Sequence, residues 1–124
     1  MILRLWRLAG WLGVVLAFAF SLGPPALAED SGHADKFVHL AGYGLLMFWW
    51  AQLVVQRRWR LALAVSLLGL GLEGLQGLTP DRLPDAGDAL ANTAGVLLGW
   101  FAARLLPNLP ALIAALPAPG RLRL

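Results

Sequence analysis

The residues best suited to chemistry in this 124-residue chain fall into three groups. Asp35, Lys36, His39 and Tyr43 make the first, Glu73 and Gln76 the second, and Arg82, Asp85, Asp88 and Asn92 the third. On a helix, spacing by four stacks Asp35, His39 and Tyr43 on one stripe, and spacing by three gives Glu73 and Gln76 a shared face. Carboxylates near an imidazole can exchange protons with a bound substrate, so Glu73, His39 and Asp88 are the candidate catalytic residues. Lys36 and Arg82 supply positive charge for an anionic group, which Glu73 and Asn92 could orient. One imidazole with scattered carboxylates is not a tight zinc pattern, and aspartates at 81, 85 and 88 do not match a calcium loop. No metal and no other cofactor is expected.

The solvent around these groups follows from composition. Hydrophobic residues make up 59% of the chain and charged residues 14%, more apolar surface than a water-soluble domain of this size could cover. The reading is therefore an all-α, polytopic transmembrane helical bundle. The chain has no cysteine, which removes disulfides, thiolate sites and cysteine nucleophiles. A net charge of +3 does not point to nucleic acid here, because in a membrane chain the positions of the arginines matter more than their sum.

A spanning helix needs about 20 mostly apolar residues. Four segments come close: Leu5 to Leu22, Phe37 to Val55, Leu61 to Leu78, and Ala89 to Leu106. Between them lie "GPPALAEDSGHADK", "QRRWR" and "TPDRLPDAGD", where Pro24, Pro25, Pro80 and Pro84 stop helices. The tail from residue 107 to 124 holds an apolar piece too short to span, which is expected along the cytoplasmic interface. Arg4, Arg7, Arg57, Arg58, Arg60, Arg104, Arg121 and Arg123 all fall on one side of a four-span arrangement, which makes that side, and both termini, cytoplasmic. Lys36 and Arg82 share the other side with Glu29, Asp30, Asp35, Glu73, Asp81, Asp85 and Asp88. Trp6, Trp49, Trp50, Trp59 and Trp100 fall in the inner half, as an aromatic belt would. Residues 1–28 also read as a secretory signal peptide with a cleavage site at Ala26, Leu27 and Ala28; cleavage would leave three spans. Residues 29–106 form the main transmembrane domain on either reading.

With the elements in place, the polar groups come to similar depth at the outer end. Glu73 lies five residues before Leu78, about 7 Å below the boundary. Asp88 is placed to cap the fourth helix, and Asn92 lies one turn further in, on the face that continues to Gly95 and Gly99. The expectation is one outward-facing pocket lined by Asp35, Lys36, His39, Tyr43, Glu73, Gln76, Arg82, Asp85, Asp88 and Asn92, with Arg82 as the first partner for Glu73 and Lys36 as the second. Structural readings stand beside this one. His39 and Tyr43 can join helices by hydrogen bonds, Lys36 can snorkel, and the four-residue step from Gly95 to Gly99 serves close helix packing. A glutamate inside the membrane is costly enough to mark a functional candidate.

"DKFVHLAGYGLL" followed by "EGLQGLTPDRLPDAGDALANTAGVLLG" resembles the VanZ-like membrane proteins. Their pattern is Asp-Lys-x-x-His-x-x-x-Tyr, then Glu-x-x-Gln, then Arg-x-x-Asp-x-x-Asp-x-x-x-Asn-x-x-Gly. It falls here on Asp35, Lys36, His39 and Tyr43, on Glu73 and Gln76, and on Arg82, Asp85, Asp88, Asn92 and Gly95. The resemblance covers about residues 35 to 106, and Asp81 stands where a glycine commonly precedes the arginine. It implies a bacterial cytoplasmic-membrane protein of the cell envelope. The namesake is linked to low-level resistance to teicoplanin, a lipid-anchored glycopeptide antibiotic, and no reaction is settled for the family. Three functions fit: binding of an outer-leaflet amphiphile, such as a lipid-linked precursor or a lipoglycopeptide; a membrane-embedded hydrolase or transferase acting on a lipid-linked substrate; and an ion- or proton-coupled transporter, for which four short helices would have to form a homo-oligomer. The partners expected are membrane lipids and such an amphiphile, with no nucleic acid.

Overall fold

The computed structural model describes residues 1–23, 32–80 and 83–117. Among these the regular structure is helical throughout, in the order α1 (Ile2–Leu22), α2 (Gly32–Ala51), α3 (Arg58–Gln76), α4 (Ala86–Leu105) and α5 (Leu109–Ala115). The four long helices fall on the four apolar segments read from sequence, and each begins about three residues earlier or more. The reason is that a polar first turn belongs to the helix even where it is not part of the apolar stretch. Lys36 and Asp35 lie inside α2, and Gly87 and Asp88 inside α4. At 1.5 Å per residue the 19 to 21 residues of each long helix extend about 28 to 31 Å. Of the four, α1 and the stretch beginning with α4 are long and apolar enough by composition to cross a membrane.

Cross-helix contacts give the directions. Trp6 of α1 meets Trp49 near the end of α2, while Ser21 at the end of α1 meets Gln76 at the end of α3. On α2 and α4, His39 meets Asn92, and Gly44 lies against Gly95 and Gly99. Thus α1 and α3 run one way, and α2 and α4 run the other, parallel to each other. The parallel pair packs backbone to backbone. A methyl at Gly95 would strike the Leu40 carbonyl, and one at Gly99 would strike that of Gly44. Glycine is required at both positions by this approach.

Burial is distributed as in a protein surrounded by lipid. Leu5, Leu8, Trp11, Leu12, Val15 and Phe20 of α1 are exposed, as are Leu63, Leu67 and Leu70 of α3 and Leu97, Leu98 and Phe101 of α4. The interior holds Tyr43, Leu46, Met47, Ala51, Ala62, Val65, Val96 and Ala103, together with polar Gln52, Glu73, Gln76, Asp88 and Asn92. Water would disfavour so much exposed apolar surface, whereas lipid tolerates it and forces polar groups inward.

The arginine-rich end is stapled by side chains. Trp6 and Trp49 stack with ring centroids 3.9 Å apart, and each indole N–H donates to the other's carbonyl, at 3.2 and 2.8 Å. The Arg58 guanidinium donates to Ala51 O at 2.8 Å and to Ala103 O at 3.0 Å, satisfying carbonyls at the ends of α2 and α4 where a cation is also favoured by the helix dipoles. Gln52 accepts from the Leu109 N–H at 2.8 Å, and Asn108 Nδ2 donates to the Gln52 carbonyl at 2.7 Å, which docks α5 beside the turn after α2.

Candidate functional site

At the opposite end the first turns of α2 and α4 stand side by side. Pro84 keeps the preceding chain out of helix, and Asp85 caps α4 by accepting the Gly87 N–H at 2.7 Å. The sequence expectation of Asp88 as the cap is therefore corrected. The helix starts one turn earlier than its apolar stretch, so Asp88 lies in the first turn and is free to face α2.

Six of the expected residues gather here. Lys36 Nζ lies 3.0 Å from Asp85 Oδ2 and 3.5 Å from Asp88 Oδ1. Gly87 makes this reach comfortable, because a methyl there would fall 2.6 Å from Lys36 Cε. His39 Nδ1 meets Asn92 Oδ1 at 2.8 Å. In the neutral ring, an amide oxygen opposite Nδ1 selects the tautomer with the proton on Nδ1 and a lone pair on Nε2. That lone pair faces two carboxylates, Asp35 Oδ1 at 3.8 Å and Asp88 Oδ2 at 3.9 Å. These distances are too long for hydrogen bonds. One donor atom from each of Asp35, His39 and Asp88 lies within 4.8 Å of the others, so this trio is the group among the described residues that could hold a metal ion. Along the chain one imidazole stands among scattered carboxylates; folding brings two of them to it.

The charge balance is set by Lys36. Its ammonium, followed by the Gly87 N–H, holds the Asp85 carboxyl below the usual carboxylate range. Asp88 is 6% exposed, and among the described residues its Oδ1 accepts no hydrogen bond.

The α3 residues do not all join this group. Glu73 is buried, and its Oε1 accepts the backbone N–H of Asp85 at 2.8 Å, so it braces the turn into α4. Lys36, the second partner expected for Glu73, is held by Asp85 and Asp88 instead. Arg82, the first partner expected, lies outside the described residues, as does Asp81. Gln76 turns away from the group and donates to the Ser21 carbonyl of α1 at 2.8 Å. Tyr43 points into the core, where its hydroxyl is buried with no hydrogen-bond partner among the described residues; a methyl on Gly69 would lie 3.1 Å from its ring. The single polar pocket expected from sequence is thus an α2/α4 cluster with Glu73 beneath its loop and Gln76 tied to α1.

Two residues that position the site escaped the sequence reading. Gly44 is the small partner that Gly95 and Gly99 require, and Gly69 makes room for both Tyr43 and Asn92. A signal existed for the first: a step of small residues on one helix asks for a small residue on its neighbour, and α2 holds Gly42 and Gly44 in its middle. Sequence does not say which, and Gly42 meets open space.

No curated protein and no solved structure is significantly similar to the chain. The family match begins well before the motif-bearing stretch and takes in the second half of α1. Residues 14–107 match the model described as VanZ/LLP1, a span that includes every polar contact of the site just described, and the chain belongs to that family.

Proposed function

We propose that this VanZ/LLP1 protein is a multi-pass protein of the bacterial cytoplasmic membrane that binds an outer-leaflet amphiphile at the acidic end of its bundle. The four long helices each match the hydrocarbon thickness of about 30 Å, and the described arginines, Arg4, Arg7, Arg57, Arg58, Arg60 and Arg104, lie toward the opposite end, as a cytoplasmic face requires. The observation that carries the binding reading is the setting of Lys36. Its side chain stays 40% exposed above half-buried His39 and buried Asn92, and exposed Phe37 and Leu90 flank the cluster. A polar head can meet the charged rim while an acyl or prenyl chain lies along the apolar flank. Such a ligand is a lipid-linked envelope precursor or a lipoglycopeptide.

The test is binding of a polyprenyl pyrophosphate and of teicoplanin to the purified chain in detergent. Lys36→Gln and His39→Ala should each weaken binding by about tenfold or more while helicity is unchanged. Equal binding by wild type and both variants would overturn the reading. Release of phosphate from the first probe would favour instead a membrane-embedded hydrolase or transferase. That second reading draws support from His39 Nε2 facing the buried Asp88 carboxylate at 3.9 Å.

Orientation is tested separately. Single cysteines at Ser31 and Thr79 should react with an impermeant thiol reagent in intact cells, and one at Trp59 should not. The reverse pattern would invert the bundle and remove the outer-leaflet site.

A further inference from the structure

We infer that Asp35, His39 and Asp88 form a binding site for a divalent transition-metal ion, Zn²⁺ being the best match, at the junction of α2 and α4. Three observations lead there. The trio offers one nitrogen and two carboxylate oxygens on adjacent helix turns, all within 4.8 Å of one another. The His39 ring is already oriented as a ligand, because in the neutral tautomer that donates from Nδ1 to Asn92 Oδ1 at 2.8 Å the Nε2 lone pair faces Asp35 and Asp88. An outer hydrogen bond of this kind fixes both tautomer and direction in metal-bound histidines. Within the trio, Asp88 is 6% exposed; among the described residues its Oδ1 accepts no hydrogen bond and meets Lys36 Nζ only at 3.5 Å, while its Oδ2 lies 3.9 Å from the ring. A buried carboxylate with so little compensation calls for a cation.

Lys36 cannot fully supply it. Its Nζ sits nearer to Asp85 than to Asp88, and the half-exposed Asp85 competes for the same charge. Among the described residues, Asp35, Asp85 and Asp88 together outnumber the one ammonium beside them. An ion bound at about 2.0 to 2.2 Å holds neighbouring donors about 3 to 3.5 Å apart, so the His39–carboxylate distances of 3.8 and 3.9 Å need to close by about half an ångström, and the two carboxylate oxygens, within 4.8 Å of each other, by up to about 1 to 2 Å. Side-chain rotation at Asp35, 40% exposed, suffices for part of that. The imidazole distinguishes the site from an all-oxygen cage and favours Zn²⁺ over Mg²⁺ or Ca²⁺. Three protein donors leave room on the metal for water or for an anionic ligand oxygen, which would offset the excess of carboxylates around Lys36. The metal site stands on these residues alone, whether or not an amphiphile binds beside it.

The experiment is calorimetric titration of ZnCl₂ into the full chain, purified in detergent and stripped with a chelator. One ion per chain is expected. Affinity should fall by more than about 100-fold in Asp88→Asn and His39→Ala, and by about 10- to 100-fold in Asn92→Ala, which removes only the outer hydrogen bond. Asp88→Glu, which keeps the carboxylate, should retain binding and so guards against loss by misfolding. Lys36→Gln should bind Zn²⁺ more tightly, because it removes a competing cation from Asp88. Absence of a saturable site, equal affinity for Mg²⁺, or unchanged affinity in both Asp88→Asn and His39→Ala would overturn the assignment.

Discussion

His39 of α2 and Asn92 of α4 meet at 2.8 Å across two parallel helices, at a depth where Asn92 is 2% exposed. The bond links the helices and sets the proton on the ring. Removing the amide strands a donor in a place that offers few alternatives, so Asn92→Ala should lower stability by about 1 to 2 kcal/mol. Denaturation by increasing sodium dodecyl sulfate in mixed micelles reads this as a lower midpoint. An unchanged midpoint would mean that the imidazole finds another acceptor without cost.

The backbone contact beside that bond predicts a sharper effect of size. Gly95→Ala and Gly99→Ala place a methyl against the carbonyls of Leu40 and Gly44, which belong to a rigid helix and cannot turn aside. Each should cost about 1 to 3 kcal/mol. Gly71→Ala and Gly74→Ala meet nothing within 4 Å and should be neutral or stabilising by up to about 1 kcal/mol, since alanine is the better helix former. Similar losses at all four positions would mean that propensity, not the close approach, governs these sites.

Helix number and placement were legible because length and proline punctuation carry them. Pro24, Pro25, Pro80 and Pro84 bound apolar runs that match the helices to within a few residues. Rotation about each helix axis was not legible to the same degree. A helix facing lipid on one side and an apolar core on the other shows little periodicity, so only polar residues and glycines report its inner face. That is why His39 and Asn92 could be placed on facing stripes, whereas Gln76 could not be assigned to α1 rather than to α4. The role of Arg58 was hidden for a different reason: an arginine in a polar loop looks like a topology marker, and nothing in its neighbours reveals that it closes the ends of two helices.

The contacts of α1 bear on whether residues 1–28 act as a removable leader. Trp6 and Trp49 satisfy each other's carbonyls, and Gln76 donates to Ser21. Cleavage after Ala28 would leave the Trp49 indole N–H and the Gln76 amide without these acceptors, at a cost of about 1 to 3 kcal/mol for each buried group. Intact-mass measurement of protein purified from membranes should therefore find residues 1–28 attached. A chain beginning at Glu29 would overturn this.

Acid should weaken the Lys36–Asp85 bridge in a defined direction. Facing Asp85 are Lys36 and His39 from α2, while Glu73 from α3 takes its backbone N–H. The Lys36 ammonium and the Gly87 N–H hold its folded-state pKa below the unfolded value of about 3.9. The resulting stabilisation is present above that value and is lost as pH falls through the depressed one. Both side chains are 40% or more exposed, so the effect should be small and should shrink in high salt. Asp85→Asn keeps a good helix cap while removing the charge. Its stability should fall less than that of wild type when pH is lowered below about 4. Parallel pH profiles would remove Asp85 from the account.

Glu73 is buried and accepts the Asp85 N–H at 2.8 Å, a bond that an amide oxygen could also accept. If this bond is the main role of Glu73, Glu73→Gln should cost little, and Glu73→Leu should cost about 1 to 3 kcal/mol by leaving the backbone donor unpaired. The sequence expectation of an ion pair with Arg82 makes a different forecast. Glu73→Gln would then strand the arginine, and a double-mutant cycle with Arg82→Gln would show strong coupling, each single change costing more than the pair together. Folded protein recovered from membranes, followed by denaturation in mixed micelles, measures all four variants on one scale. The bond to the Asp85 N–H predicts the order wild type, then Glu73→Gln, then Glu73→Leu, with Glu73→Gln and Arg82→Gln adding independently. Strong coupling would instead establish Arg82 as the partner and leave the backbone bond secondary.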